Sequence, residues 1–169
     1  MPETGPATIS PTSGARRQVA ARRGGCVAVL IGLLVVFATA CNVEPPAPTT
    51  TSMADVATAY GLLNQFRAQH GVGSLARTAE LDAKAQAQAE AMATSGQLFH
   101  SYLPGGLAPG WRGLGENVAF APVVASAQGW LEGSPPHRAN MVNGSFNLVG
   151  IGVVRARGVV WVVQDFEQR

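Results

Sequence analysis

The stretch that decides the fold is Phe146–Phe166, FNLVGIGVVRARGVVWVVQDF, near the end of the 169-residue chain. Two apolar runs, rich in the β-branched residues that favour strands, flank the sequence RARG. Arg155 and Arg157 border a tight turn in which Gly158 supplies the positive φ that such turns need. The pattern predicts an antiparallel hairpin.

Two longer segments upstream have the apolar period of helices. Met53–His70 repeats apolar side chains every three or four residues, and the alanine-rich Thr78–Ser95 begins at a capping residue and ends before Gly96. Pro122–Gly133 predicts a third, shorter helix, and the glycine- and proline-rich segment 97–115 predicts a loop. Because the helices come first and the strands last, we expect an α+β fold with helices packed on a small antiparallel sheet.

The first forty-one residues are predicted to be an export signal. Four arginines between Arg16 and Arg23 precede an uncharged apolar run that is short for a membrane span. The run ends in ATAC, where Ala38 and Ala40 suit an ordinary signal peptidase and Cys41 resembles the lipidated cysteine of a bacterial lipoprotein. Both routes remain open, and we favour a lipid anchor in the membrane. Residues 42–53 are predicted to be a Pro/Thr-rich tether, and residues 54–169 the folded domain.

Charge and cysteine content narrow the classes of partner. After Cys41 the chain has eight Lys/Arg and nine Asp/Glu residues, a net charge of −1, although the whole sequence carries +2. This balance predicts no nucleic-acid partner. No cysteine follows Cys41, so the domain must be stabilised by its apolar core instead of by disulfides. We expect a monomer.

Three short segments carry residues suited to chemistry. LFHS, GLGENVAF and SPPHRAN contain His100, Glu116 and His137, and each lies at the start or end of a predicted element. Two imidazoles and a carboxylate could bind zinc and leave a fourth position open. They could also form an acid–base pair in which Glu116 orients an imidazole. The residue types alone leave three alternatives open: a zinc site, an acid–base pair, or three residues that lie apart in the fold.

The order of the motifs resembles the CAP superfamily of cysteine-rich secretory, antigen-five and pathogenesis-related proteins, or SCP-like extracellular domains. The likeness is to a short bacterial branch without disulfides and extends from about Ala54 to Phe166. It implies an α-β-α sandwich with helices on both faces of an antiparallel sheet of about three strands. The matching sequences are LLNQFRAQHGVGSL, AEAMATSGQLFHS, GENVAF, a tryptophan shortly before SPPHRANM, FNLVGIGVV and WVVQDF.

The resemblance also implies a cleft lined by His100, Glu116 and His137, with Pro135 and Pro136 stiffening the approach to His137. Many relatives add a glutamate three residues after the tryptophan. Here Glu132 follows the tryptophan by two residues, so it is either a cleft member or a solvated charge at a helix end.

The three tryptophans receive separate predictions. Trp111, in a loop beside Glu116, is either a cleft wall or an ordinary loop residue. Trp130 and Trp161 are predicted to pack in the core.

Three functions follow from this reading. The favoured one is an exported, surface-attached binding module whose cleft holds a lipid, another small molecule or an extracellular protein. The second adds zinc or another divalent ion on His100 and His137, with Glu116 orienting a ligand or completing the shell. The alternative is a metal-dependent hydrolase in which the same three residues activate water. Neither Ser101 nor Ser134 lies in a recognisable nucleophile motif, so a binding role is favoured over an enzyme.

Overall fold

The predicted hairpin forms the centre of a five-stranded sheet in the computed structural model, which describes residues 49–169. The leader and the first residues of the tether lie outside the described part. In chain order the elements are β1 (Thr50–Thr51), α1 (Met53–Gln69), β2 (Ala76–Arg77), α2 (Ala79–Ser95), β3 (Gly113–Ala121), α3 (Val124–Gly133), α4 (Pro135–Met141), β4 (Leu148–Ala156) and β5 (Val159–Gln168).

The sheet has three long antiparallel strands, as predicted, and two short additions. Its order is β1-β4-β5-β3, and β2 pairs with β4 in parallel, so β3 is an edge strand. The hairpin turn differs in one detail from the prediction. Arg157 and Gly158 both adopt positive φ, at 55° and 75°, where only Gly158 was expected to. The Arg157 guanidinium donates to the carbonyls of Ala93 and Thr94, which fixes this otherwise unfavourable conformation.

Helices cover both faces of the sheet, which confirms the α-β-α sandwich. Alternate residues of a strand point to opposite faces, so each long strand contributes to two cores. One core lies between α2 and the sheet and includes Met92, Val154, Trp161 and Val163. The other lies beneath α1, α3 and α4. Its members include Leu63, Phe66, Leu131, Met141, Val149, Ile151, Val162 and Phe166.

Helix α2 lies unusually close to β4 because the strand presents glycine to it. A Cβ added at Gly150 would lie 2.1 Å from backbone atoms of Leu81, and one at Gly152 would lie 2.1 Å from the Ala85 carbonyl oxygen. The close approach lets α2 side chains satisfy the free edge of β4. Asp82 Oδ1 accepts from the Ile151 amide at 3.0 Å.

Several local predictions need correction. The segment after Ser134, for which no helix was predicted, forms α4, since proline in the first helical turn loses no hydrogen bond. Trp130 is 56% exposed and does not join the core, although Trp161 does. Residues assigned to the tether also join the fold, because Thr50–Thr51 pair with β4 and Ser52 caps α1. No helix in residues 49–169 has the length and hydropathy to cross a membrane.

Candidate functional site

The first component of the site is a hydrogen-bonded pair between His100 and Glu116. His100 lies shortly after α2, and Glu116 is a buried residue of β3. The imidazole Nδ1 lies 2.8 Å from Glu116 Oε1, which also accepts the Ser101 amide at 2.9 Å. An ionised carboxylate can only accept, so in the neutral imidazole the proton lies on Nδ1 and the Nε2 lone pair is available. The His100 side chain is 57% exposed, so this lone pair can meet a ligand.

The second component is the anchoring of His137 by the next residue of the same strand. Asn117 points to the opposite face of β3 from Glu116, as strand geometry requires. Its amide donates to the His137 carbonyl at 3.1 Å, and Asn140 donates to Asn117 Oδ1 at 3.0 Å. The two asparagines thus fix helix α4 against strand β3. The dipeptide Glu116–Asn117 therefore holds one histidine segment with each side chain.

The two histidines influence each other electrostatically. Partial burial lowers the pKa of His137 below its ordinary value, and a positive charge on His100 lowers that pKa further. Both effects favour the neutral imidazole of His137, which is the form that binds metals. The structure thus places Glu116 in contact with His100, and His137 lies close enough for the charge of His100 to act on its pKa.

Beneath Glu116 lies a buried charge cluster that sequence reasoning missed. Lys84 of α2 and Asp165 of β5 face Glu116, and all three side chains are at least nine-tenths buried. Burial raises the pKa of Asp165 to about 7, Lys84 opposes the rise, and the Glu116 charge adds to it. Two signals could have revealed the cluster: Lys84 is the only lysine in the chain, and Asp165 interrupts an apolar strand.

Glu132 reaches the site only through a chain of buried amides. Asn117 donates to Gln164, Gln164 to Gln128, and Gln128 to Glu132, at 3.0–3.1 Å for each step. The glutamate thus ends a polar network on the face opposite Glu116. Gln128 and Gln164 were also missed, although polar residues at inward positions of apolar segments were the available signal.

Two pockets flank the histidines. One of about 470 Å³ is lined by His100, Ser101, Glu116 and Asn140, together with two leucines and a glycine. An apolar one of about 200 Å³ includes His137, and its wall contains Leu98, Phe120, Trp130 and Leu131. Neither pocket is lined by Trp111 or Glu132, so the structure does not bring these two candidates to the histidines. Trp130, expected in the core, forms a pocket wall instead.

The donor set limits how a metal could be held. Within residues 49–169 no group of three or more His, Cys, Asp or Glu side chains is arranged to hold a metal ion. His100, Glu116 and His137 therefore do not form the three-ligand zinc set that the sequence allowed, and Glu116 accepts from His100 instead. A hydrogen-bonded carboxylate behind a metal-binding imidazole is a common arrangement.

Comparison with known proteins agrees with this architecture. The structure resembles an outer surface protein from Borrelia burgdorferi, with a TM-score of 0.63 and 15% identity over 73% of this chain and 98% of that one. It also resembles an extracellular SCP-domain protein from Bacillus anthracis, with a TM-score of 0.59 and 25% identity over 69% of this chain and 41% of that one. A third similar structure is NaASP2 with Zn²⁺, with a TM-score of 0.54 and 15% identity over 68% of this chain and 80% of that one.

Sequence comparison defines the family. No curated protein sequence is significantly similar to this chain. The family model described as "CAP: Cysteine-rich secretory protein family" matches residues 60–166, more than half of the chain. The match includes His100, Glu116 and His137, and the layered fold is the one that the motifs implied. The chain belongs to the cysteine-rich secretory protein family, CAP.

Proposed function

We propose that the protein is an exported, surface-attached binding module whose cleft holds a small molecule at His100 and His137. The observation that carries the proposal is the 2.8 Å contact between Glu116 and Nδ1 of His100. Because the buried carboxylate bonds Nδ1, the other nitrogen of this half-exposed imidazole, Nε2, is free for a ligand. A histidine with only a structural role would not need its second nitrogen kept available.

A divalent cation, zinc first, is the proposed inorganic part of the ligand. Two neutral imidazoles suit zinc, and one of them has the carboxylate partner that strengthens a metal-binding histidine. The similar protein NaASP2 was solved with Zn²⁺. With two protein ligands, a bound cation would keep positions for a polar group of the small molecule.

The apolar pocket beside His137 supports an amphipathic organic ligand. Leu98, Phe120 and Trp130 are each at least 41% exposed, which is costly unless the surface is covered in use. At about 200 Å³ the pocket accommodates a ring or a short aliphatic group. A lipid would therefore place only part of its apolar portion here.

The geometry favours binding over hydrolysis. A hydrolytic Glu116 would have to take a proton from water, yet Oε1 already accepts from His100 and Ser101. Oε2 faces Lys84 at 3.8 Å inside the protein. Both oxygens of this carboxylate face protein groups, so the observations support an orienting role.

The test is zinc titration by calorimetry on the wild-type chain and three histidine variants. We expect stoichiometric binding that His100→Ala and His137→Ala each abolish. His70→Gln is the matched control, because His70 lines neither pocket and its ring nitrogens contact the Phe66 carbonyl and the Arg138 guanidinium. Absence of binding, or binding that survives both cleft substitutions, would refute the metal site. Fluorescence of Trp130, compared with Trp130→Phe, then reports on apolar ligands.

Export and anchoring form a separate part of the proposal. Their support is the arginine-flanked apolar run, the cysteine that ends it, and the extracellular or outer-surface descriptions of two similar proteins. Fractionation of producing cells should find the protein outside the cytoplasm and in the membrane fraction. Cys41→Ser should release it to the medium if Cys41 carries lipid. An unchanged membrane fraction would contradict lipidation at this residue.

A further inference from the structure

The only lysine of the chain lies beneath the cleft. Lys84 projects from α2 into the layer between helix and sheet, and 8% of its side chain is exposed. Its ammonium donates to Ser101 Oγ and lies 3.4 Å from both Asp165 oxygens and 3.8 Å from Glu116 Oε2. Burying an ammonium is costly, so its position calls for a role that offsets the cost.

The charges around Lys84 show what that role is. Glu116 and Asp165 are directly paired across β3 and β5, and their side chains are 1% and 3% exposed. Two carboxylates in such a position repel each other. Lys84 is the one lysine or arginine within 4 Å of either carboxylate in the described part of the chain. Glu116 Oε2 has no hydrogen-bond partner among those residues, so the ammonium is its main compensation.

The cluster connects to the cleft through the other oxygen of the same carboxylate. Glu116 Oε1 accepts from Nδ1 of His100, and the adjacent Ser101 contributes its amide to Oε1 and its hydroxyl to Lys84. The segment that carries His100 is therefore fastened to both members of the ion pair. Loss of the ammonium would weaken both attachments at once.

We propose that Lys84 is a positioning residue for the cleft: its buried ammonium contacts Ser101, Asp165 and Glu116 and holds the Glu116 carboxylate where it accepts from Nδ1 of His100. The inference rests on the proposed binding role of His100, and Lys84 itself lines neither of the two pockets beside the histidines. Lys84 acts through charge, so a side chain of similar length without charge cannot replace it.

The experiment is nitrogen-15 NMR of the imidazoles in the full chain without zinc, at pH 8, where a histidine of ordinary pKa is neutral. The chain has three histidines, so single His→Gln variants assign the signals. In the wild type we expect His100 to be almost entirely the Nδ1–H tautomer. Lys84→Met should give a mixed tautomer population and weaken zinc binding about 10-fold or more.

A second substitution separates charge from packing. In Lys84→Met/Asp165→Asn only one buried carboxylate remains, and the new amide can donate to Glu116 Oε2. We expect this double variant to recover the wild-type tautomer, and Asp165→Asn alone to keep it. If Lys84→Met does not fold, the double variant and the single Asp165→Asn still test the charge argument.

The outcomes distinguish the inference from the proposed function. A wild-type His100 without the Nδ1–H preference, or a Lys84→Met variant that retains it, would overturn the role of Lys84. If the double variant has the same mixed tautomer population as Lys84→Met, the effect of Lys84 comes from packing and not from charge, which would also overturn the inference. Failure of the wild type to bind zinc would instead refute the metal site while leaving the tautomer result intact.

Discussion

Adding one methyl group to β4 provides the sharpest test of the sandwich. In Gly152→Ala the new Cβ would lie 2.1 Å from the carbonyl oxygen of Ala85, 2.3 Å from its carbonyl carbon and 2.6 Å from the amide of Gln86. All three atoms belong to the backbone of α2, so no side-chain rotation relieves the clash. Ordinary contact begins at 3.4 Å, so the helix would have to move by about 1.3 Å.

The cost follows from what that movement disturbs. Helix α2 packs its fully buried Leu81, Ala85, Ala89 and Met92 against the sheet. Overpacking of a well-filled core typically costs about 1–3 kcal/mol, and a backbone clash belongs at the upper end or above it. We therefore expect a loss of at least about 3 kcal/mol in the free energy of unfolding. For a domain of this size the midpoint of thermal unfolding should fall by about 10 °C.

The assay is urea and thermal unfolding followed by circular dichroism, with Gly129→Ala as the matched control. Gly129 lies in α3, where an added Cβ meets nothing within 4 Å. The same methyl group should stabilise the protein there by about 0.5–1 kcal/mol, because alanine favours a helix over glycine. A Gly152→Ala variant that loses less than about 1 kcal/mol would refute the close approach of α2 to β4.

Three further substitutions test the site and its supports. Arg67 is buried and donates to four carbonyls, including those of Gly73 and Met141. Arg67→Met should therefore lower the free energy of unfolding in urea by at least about 3 kcal/mol. A smaller loss would show that water replaces the guanidinium. Asn117→Ala removes the side chain that anchors His137 and should lower the free energy of unfolding by about 2–4 kcal/mol. It should also weaken zinc binding, and an unchanged affinity in calorimetry would contradict the anchoring role. The folded-state pKa of Asp165 is raised to about 7, so the stability from its neutral form is complete below about pH 4 and is lost as the pH rises to about 7. Asp165→Asn should therefore gain stability relative to the wild type between about pH 5 and pH 8, and a difference that does not change with pH would contradict the burial of this carboxylate.

The hairpin and the long helices were predictable because their signals are local. Apolar β-branched runs around RARG define β4 and β5, and Thr78 and Gly96 mark the start and end of α2 as predicted. The turn was less predictable. A positive φ at Arg157 depends on carbonyls at the end of α2, more than sixty residues away in sequence. Likewise, the exposure of Trp130 depends on which face of α3 meets the sheet.

The functional residues divide in the same way. His100, Glu116 and His137 were found because they lie in short motifs that can be read along the chain. Lys84 and Asp165 were missed because neither has a motif; each becomes meaningful only when α2 lies across the β3–β5 pair. Gln128 and Gln164 were missed for the same reason, since they complete a network that links three elements.

By itself the sequence determined the hairpin, helices α1 to α3 and the identity of the two histidines and the glutamate, because helix caps, apolar periods and motifs act over a few residues. The tertiary structure decided which residues share the site. The alternation of β3 sends Glu116 toward His100 and Asn117 toward His137, and the glycines of β4 let α2 bring a single lysine beneath them. These relations depend on long-range packing and on buried charge, whose energies exist only once the layers have come together.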